Sequence, residues 1–420
     1  MKNIIENTAG RTAEGGIKNI IRRTVFALLL MCCISISAHA ENAQYYDAAQ
    51  EQTADIESEI GAKSETNIEN EINSYNLEEL EGYTEPENDY YTDGAGFADT
   101  VRNFASGKEV LNAANVLRAI VRGFFSEAYN CFSLLLSVLA ISLLFSALNN
   151  IKGEFNSSSV GDTAFFVCYL IVTTLIANAF SDAASLVVST VKSAAMFINA
   201  ASPVMMTMLV TGGGISGAAA VNPVIMLCTE LVTAVSEKFL MPLLYSAAAL
   251  YIVSEINETI RVSKFADFLK KTVKWSLCLI LTVFVGILSI QGFCTATLDS
   301  AAAKTAKFLV GTSIPVVGGI LSDTVETVVG CSLVVKNATG AAGIVALLII
   351  ASAPVIKILA VSASFHLCSA IIEPVADRRI SGVMSSVASV TTLMAAIIVT
   401  AAVMFIISIG MIMCMSGAAL

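Results

Sequence analysis

The sequence predicts an all-α polytopic membrane protein with about 7–9 transmembrane helices, preceded by a cleavable signal peptide and a disordered acidic arm. Three observations carry that expectation. Of 420 residues, 55% are hydrophobic and only 14% are charged, with a mean hydropathy of +0.75, whereas a soluble domain is about one quarter charged. The apolar residues come in blocks near the roughly 20 residues that a helix needs to cross about 30 Å of hydrocarbon. Charge is segregated as well. Residues 41–100 hold 17 acidic side chains and one basic, Lys63, while residues 101–420 hold 18 basic and 15 acidic.

Residues 1–40 end in "KNIIRRTVFALLLMCCISISAHA". Lys18, Arg22 and Arg23 precede a short apolar core, and Ala38-His39-Ala40 supplies the small residues of a cleavage site, so the pattern is a secretory signal cut after Ala40. Residues 41–100 are rich in Glu, Asn, Gln and Tyr and poor in aliphatics, which predicts a disordered arm. Over 101–128, Val110, Leu111, Ala114, Leu117 and Val121 fall at helical spacing, the signature of an amphipathic helix. With the leader removed, residues 41–128 are expected to be extracytoplasmic.

The rest, 129–420, reads as the membrane domain, with eight spans at about 130–148, 164–180, 194–211, 218–235, 240–257, 276–294, 341–372 and 389–414. The most basic connection is "NETIRVSKFADFLKKTVKW" at 257–275, carrying Arg261, Lys264, Lys270, Lys271 and Lys274. The excess of Lys and Arg on cytoplasmic loops places it inside the cell. Counting back five spans puts residue 101 outside, as the signal peptide requires. "EPVADRRISG" at 373–382, with Arg378 and Arg379, falls on the same inner side if 313–340 enters and leaves the membrane by one face.

Two stretches interrupt the apolar pattern. "SPVMMTMLVTGGGISGAAAVNPV" sets Gly212, Gly213 and Gly214 between Pro203 and Pro223. Broken helices leave backbone groups that protein or a wet cavity must satisfy, so these five residues and Pro354 are candidate helix breaks, structural or conduit-lining. "SIPVVGGILSDTVETVVGCSLVVKNATG" at 313–340 combines Pro315, Gly318, Gly319, Asp323, Glu326 and Lys336. Asp323 and Glu326 share one helix face, and each costs about 2.5–3.5 kcal/mol at mid-bilayer. The stretch is therefore a re-entrant hairpin, an interfacial helix or a span whose carboxylates meet water. Lys336 pairs with one of them or reaches the interface. Glu230, in "PVIMLCTELVTAVSEK", is an inter-helix hydrogen-bond partner or an ion-coupling group, and Lys357 is a packing partner or a conduit charge.

Several function classes drop out. The two histidines are His39 in the leader and His366, too few for a catalytic triad or a histidine-rich metal site. No GxxxxGK[ST] nucleotide loop is present, so ATP-driven work requires a separate ATPase subunit. The ten cysteines form no CxxC and read as small packing residues. The expectation is a non-enzyme with no metal or cofactor, working in the lipid bilayer, and with too slight a basic balance for nucleic acid.

"KWSLCLILTVFVGILSIQG", then "KTAKFLVGTSIPVVGGILSDTVETVVGCSLVVKNATG" and "EPVADRRI", resemble the stage III sporulation protein AE family of endospore-forming bacteria. The resemblance is strongest over 270–380 and looser over 100–415. It implies a multi-pass protein of the mother-cell-derived membrane around the forespore, within a stage III sporulation complex. Together with a forespore-side partner, that complex resembles a secretion apparatus and forms a channel needed for late forespore development. An export-gate or conduit-lining role follows from the resemblance. Pro315, Gly318, Gly319, Asp323 and Glu326 match its motif position by position, and no catalytic residue carries over. A stand-alone secondary transporter, coupled through Glu230, Asp323 or Glu326, and a non-conducting scaffold are the competing readings.

Overall fold

A helix whose buried face stays apolar is not stopped by serines or charges on its outer face, and this chain builds very long helices on that rule. A computed structural model describes residues 68–69, 72–75, 77–82, 96–107, 113–152, 158–256, 262–313, 318–374 and 378–415. Every regular element among them is helical. In order these are the turn α1 (Glu78–Glu81), α2 (Phe97–Ala105), α3 (Ala113–Lys152), α4 (Ser158–Thr211), α5 (Ile215–Val235), a π-turn (Ser236–Leu240), α6 (Met241–Ile256), α7 (Ser263–Ser313), α8 (Gly318–Ile372) and α9 (Arg378–Cys414). Among the described residues, six stretches are long and apolar enough to cross a membrane: Ile120–Leu144, Phe166–Thr211, Gly217–Glu255, Ser263–Gln291, Val329–Ile372 and Arg378–Cys414.

Six stretches replace the eight expected spans because two pairs merge. The spans expected at 164–180 and 194–211 are one helix, α4. Those expected at 218–235 and 240–257 are joined through the π-turn, which inserts a wider turn without reversing the chain. The 257–275 connection is likewise shorter than expected, since α7 is helical from Ser263. Three long helices, α3, α4 and the α5–α6 rod, thus replace five spans between the arm and the basic segment. Both counts are odd, so the arm and the basic segment still fall at opposite ends of the bundle.

The packing bears out those ends. Tyr75 hydrogen-bonds Thr211 at 3.2 Å and Phe97 stacks edge-on against Phe197, which sets the arm toward the end where α4 finishes. At the other end, Lys270 donates to Ser389 at 2.9 Å, Ser369 donates to the Ser381 carbonyl at 2.8 Å, and Gly382 lies against the Glu255 carboxylate. The basic segments of α7 and α9 therefore share one end. At the centre, α9 packs against α8, α4, α6 and α7, burying Met384, Val387, Met394, Ile397 and Phe405 among many others.

Part of the acidic arm corrects the expectation of disorder over 41–100. Ile72, Leu77, Leu80, Phe97 and Val101 are all buried in the main core. The Glu81 carboxylate accepts from the Ala98 amide at 3.4 Å, placing negative charge at the positive end of α2. A composition averaged over sixty residues hid four apolar anchors, Ile72, Leu77, Leu80 and Phe97. The amphipathic helix expected over 101–128 is also divided, since α2 ends at Ala105 and α3 starts at Ala113. Gly107, at a φ of 67°, lies between them in the left-handed region that favours glycine.

Candidate functional site

The outward face of α4 is polar where a lipid-facing helix should be apolar. Between Val172 and Ala195 the exposed residues are Thr174, Ala177, Asn178, Ser181, Asp182, Ser185, Ser189 and Lys192. Among the described residues, the exposed large hydrophobics of this helix stop at Ile171 and resume at Met196. The opposite face carries Val172, Ile176, Phe180, Ala184, Val187 and Val191, all buried. Spacings of three and four keep the two sets apart. Across those 24 residues, about 36 Å of helix, α4 has the pattern of a helix bordering water. Ser185 and Ser189 donate to the carbonyls of Asp182 and Leu186. Such back-bonding softens the cost of a hydroxyl in lipid, but Asp182 and Lys192 have no comparable relief from their own backbone.

The π-turn adds to this face. Its wider turn shifts the register of the α5–α6 rod and brings Glu237 to Lys192, Nζ to Oε1 at 2.7 Å, with both side chains partly open to the outside. Lys238 beside it is exposed. Local π-turns inside α-helices are frequent at functional sites.

Depth along the bundle is fixed by cross-helix bonds. Ser202 donates to Asn222 at 3.0 Å and Tyr169 to the Ile252 carbonyl at 2.6 Å, pinning α4 against the α5–α6 rod. Gln291 donates to the Ala220 carbonyl at 3.0 Å, and Tyr251 donates to Asp267, pinning α7 to the same rod. Residues 169–202 of α4 and 267–291 of α7 therefore lie at one depth. There the outward side of α7 carries Trp275, Leu279, Val283, Val285, Ile287 and Ile290, with no charge between Trp275 and Gln291.

The expected site residues scatter. Gly212–Gly214 does end a helix. The Gly214 amide bonds the Leu209 carbonyl at 2.9 Å and the Gly213 amide bonds the Val210 carbonyl at 3.0 Å, a Schellman closure with Gly213 at a φ of 89°. Pro203, Pro223 and Pro354 lie inside α4, α5 and α8 and end none of them. Near Pro223 the Gln291 amide reaches the Ala220 carbonyl in the preceding turn, so α7 is bonded to α5 beside the proline. Glu230 is exposed on α5 beside Leu227 and Leu231, and Lys357 is exposed on α8. Gly318 and Gly319 open α8, and Asp323 and Glu326 follow on it, but their side chains lie outside the described residues, as does Pro315.

Lys336 has a different environment from the one expected. It is 1% exposed, and its ammonium donates to the Met413 carbonyl at 3.2 Å and to the Met415 carbonyl. It thus caps the C-terminal end of α9, where carbonyls lack intrahelical partners and the helix dipole favours a cation. Gly340, one turn further along α8, permits the approach. A Cβ there would lie 2.4 Å from Met413 Cγ and 3.0 Å from Met205 Cε. At Gly343 a Cβ would meet Ile409 Cδ1 at 3.0 Å.

The α4 face was missed because "SDAASLVVSTVK" (181–192) looked like the link between two spans. The recurrence of polar residues at 178, 182, 185, 189 and 192 is the helical signal that finds it. No group of three or more His, Cys, Asp or Glu able to hold a metal ion occurs among the described residues.

A family model described as stage III sporulation protein AE matches residues 95–417. The chain is 28% identical over 313 residues to the stage III sporulation protein AE of Bacillus subtilis (strain 168), an alignment covering 74% of this chain and 78% of that protein. No solved structure matches.

Proposed function

Because the chain belongs to the stage III sporulation protein AE family, we propose that it is a conduit-lining or export-gate subunit of the sporulation channel between mother cell and forespore. The polar outward face of α4 carries this reading. A stretch of about 36 Å without an exposed large hydrophobic, bearing Asp182 and Lys192, is costly against hydrocarbon and favourable beside water or another subunit. The Lys192–Glu237 pair lies on the same side. The chain resides in the mother-cell-derived membrane, assembled with other membrane proteins of the stage III complex and, through them, a forespore-side partner. A separate ATPase subunit supplies any energy from nucleotide.

A stand-alone transporter is less well supported. Its coupling groups belong inside the bundle, whereas Glu230 lies on an outer face.

Cysteine accessibility in membranes isolated from sporulating cells and opened to the reagent on both sides tests the proposal. In a variant without native cysteines, Ser185→Cys and Ser189→Cys react with a small impermeant maleimide, while Val283→Cys and Ile287→Cys at similar depth do not. Unreactive cysteines at 185 and 189, together with normal sporulation after Ser185→Leu and Ser189→Leu, would remove the wet face and the reading with it.

A further inference from the structure

The first turns of α7 combine cations and exposed aromatics in a way that the conduit reading does not use. Lys264, Lys271 and Lys274 are exposed, and so are Phe265, Phe268 and Trp275. Phe265 and Phe268 stack on each other with ring centroids 6.2 Å apart. At 100° per residue, Lys264, Phe268, Lys271 and Trp275 fall within about 60° of one another. The same stripe continues along the helix as Leu279, Thr282 and Gly286. Cations and aromatics thus sit at one end of a single face that becomes uncharged further on. That order matches a helix passing from a headgroup layer into hydrocarbon.

The acidic group nearby does not cancel the patch. Asp267 accepts from the Tyr251 hydroxyl and lies 3.9 Å from Lys270, a fourth lysine that also bonds Ser389 and sits over the Tyr251 ring. Lys270 holds the inner side of α7 to the bundle, leaving the three outer lysines available.

We infer that Lys264, Lys271 and Lys274, with Phe268 and Trp275, form a binding surface for the headgroups of anionic phospholipids. The lysines contact the lipid phosphates and Trp275 marks the boundary with the acyl chains. Anionic lipid is selected because three ammonium groups on one helix face concentrate negative headgroups, each lysine contributing on the order of a fivefold preference. The surface fixes the depth at which the basic end of the bundle meets the bilayer.

Trp275 is the one tryptophan of the chain, so its fluorescence reports this site alone. The full-length protein is reconstituted in phosphatidylcholine bilayers containing either brominated phosphatidylglycerol or brominated phosphatidylcholine at equal fractions. Stronger quenching by the phosphatidylglycerol is expected, falling to parity in the triple variant Lys264→Gln, Lys271→Gln, Lys274→Gln and kept when the same positions become Arg. Equal quenching by the two lipids in the unaltered protein overturns the inference, as does a preference that survives the glutamine variant. Loss of the preference on adding inorganic phosphate at constant ionic strength would identify a free-phosphate site instead and overturn it too.

Discussion

At one depth in the bundle, α4 and α7 present opposite chemistry to the outside. On α4 the outward residues between 172 and 195 are Ser, Thr, Asn, Asp, Lys and Ala, whereas on α7 those between 275 and 290 are mostly Trp, Leu, Val and Ile. Both helices bury an apolar face against the same α5–α6 rod, so the difference cannot come from the needs of the core. It comes from what lies outside. A protein embedded alone in lipid would show one chemistry around its circumference. Two chemistries divide the surroundings into a lipid side at α7 and a wet or protein-covered side at α4.

The largest expected effect reverses these chemistries one residue at a time. Val283→Asp on α7 places a carboxylate toward hydrocarbon at a cost of about 2.5–3.5 kcal/mol, and membrane-integrated protein should fall roughly tenfold or more. Ser189→Asp on α4 puts the same charge at similar depth and should leave the level within about twofold, since that face already tolerates Asp182 and Lys192. Quantitative blotting of the membrane fraction measures both. Equal losses would mean that both faces meet lipid, and the comparison would collapse.

An intermediate effect separates the outer faces from the seam that holds the helices upright. Gly340→Ala drives a Cβ into Met413 and Met205 and should cost about 1–3 kcal/mol. Gly330→Ala, ten residues earlier on α8 with nothing within 4 Å, should be neutral or stabilising by up to about 1 kcal/mol, because alanine is the better helix former. Lys336→Met leaves the carbonyls at the end of α9 without their donor and should cost about 1–3 kcal/mol. Thermal unfolding in detergent ranks the three. A destabilised Gly330→Ala with an unaffected Gly340→Ala would mean that α8 and α9 do not pack in this register.

The legible and illegible parts of this molecule divide along the same physical lines. Long apolar blocks announced membrane helices, and the Gly212–Gly214 run announced a true helix end, because a C-terminal closure with a left-handed residue needs glycine. Helix length was misread, since a hydropathy window registers "SDAASLVVSTVK" as a gap between spans when only one face of the helix is polar. Prolines were over-read as breaks, because Pro203, Pro223 and Pro354 lie within helices that continue past them. Lys336 was expected to pair with a nearby carboxylate or to reach the interface, yet its acceptors are backbone carbonyls 77 and 79 residues on. The arm's buried anchors, Ile72, Leu77, Leu80 and Phe97, were lost in an acidic average. The Lys336 failure concerns a partner remote in sequence, which local pattern does not encode, whereas the α4 face and the arm's anchors were lost by averaging over residues whose spacing carried the signal.

The smallest expected effect is the most discriminating for the α4 side. Lys192 and Glu237 form an ion pair at 2.7 Å with both side chains partly exposed. In water such a pair contributes about 0–1 kcal/mol, because solvation competes for both charges. A double-mutant cycle using Lys192→Met and Glu237→Gln, read by unfolding of the protein in native-like bilayers, should therefore give a coupling below about 1 kcal/mol. If this face lay in hydrocarbon, each single change would strand a charge that water cannot reach, and the coupling would rise well above that limit. A weak bridge here is thus stronger support for an aqueous surface than a strong one would be. It would also locate the boundary between wet and lipid-facing sides within the width of two helices, since Leu227 and Leu231 on the adjoining α5 face outward beside Glu230.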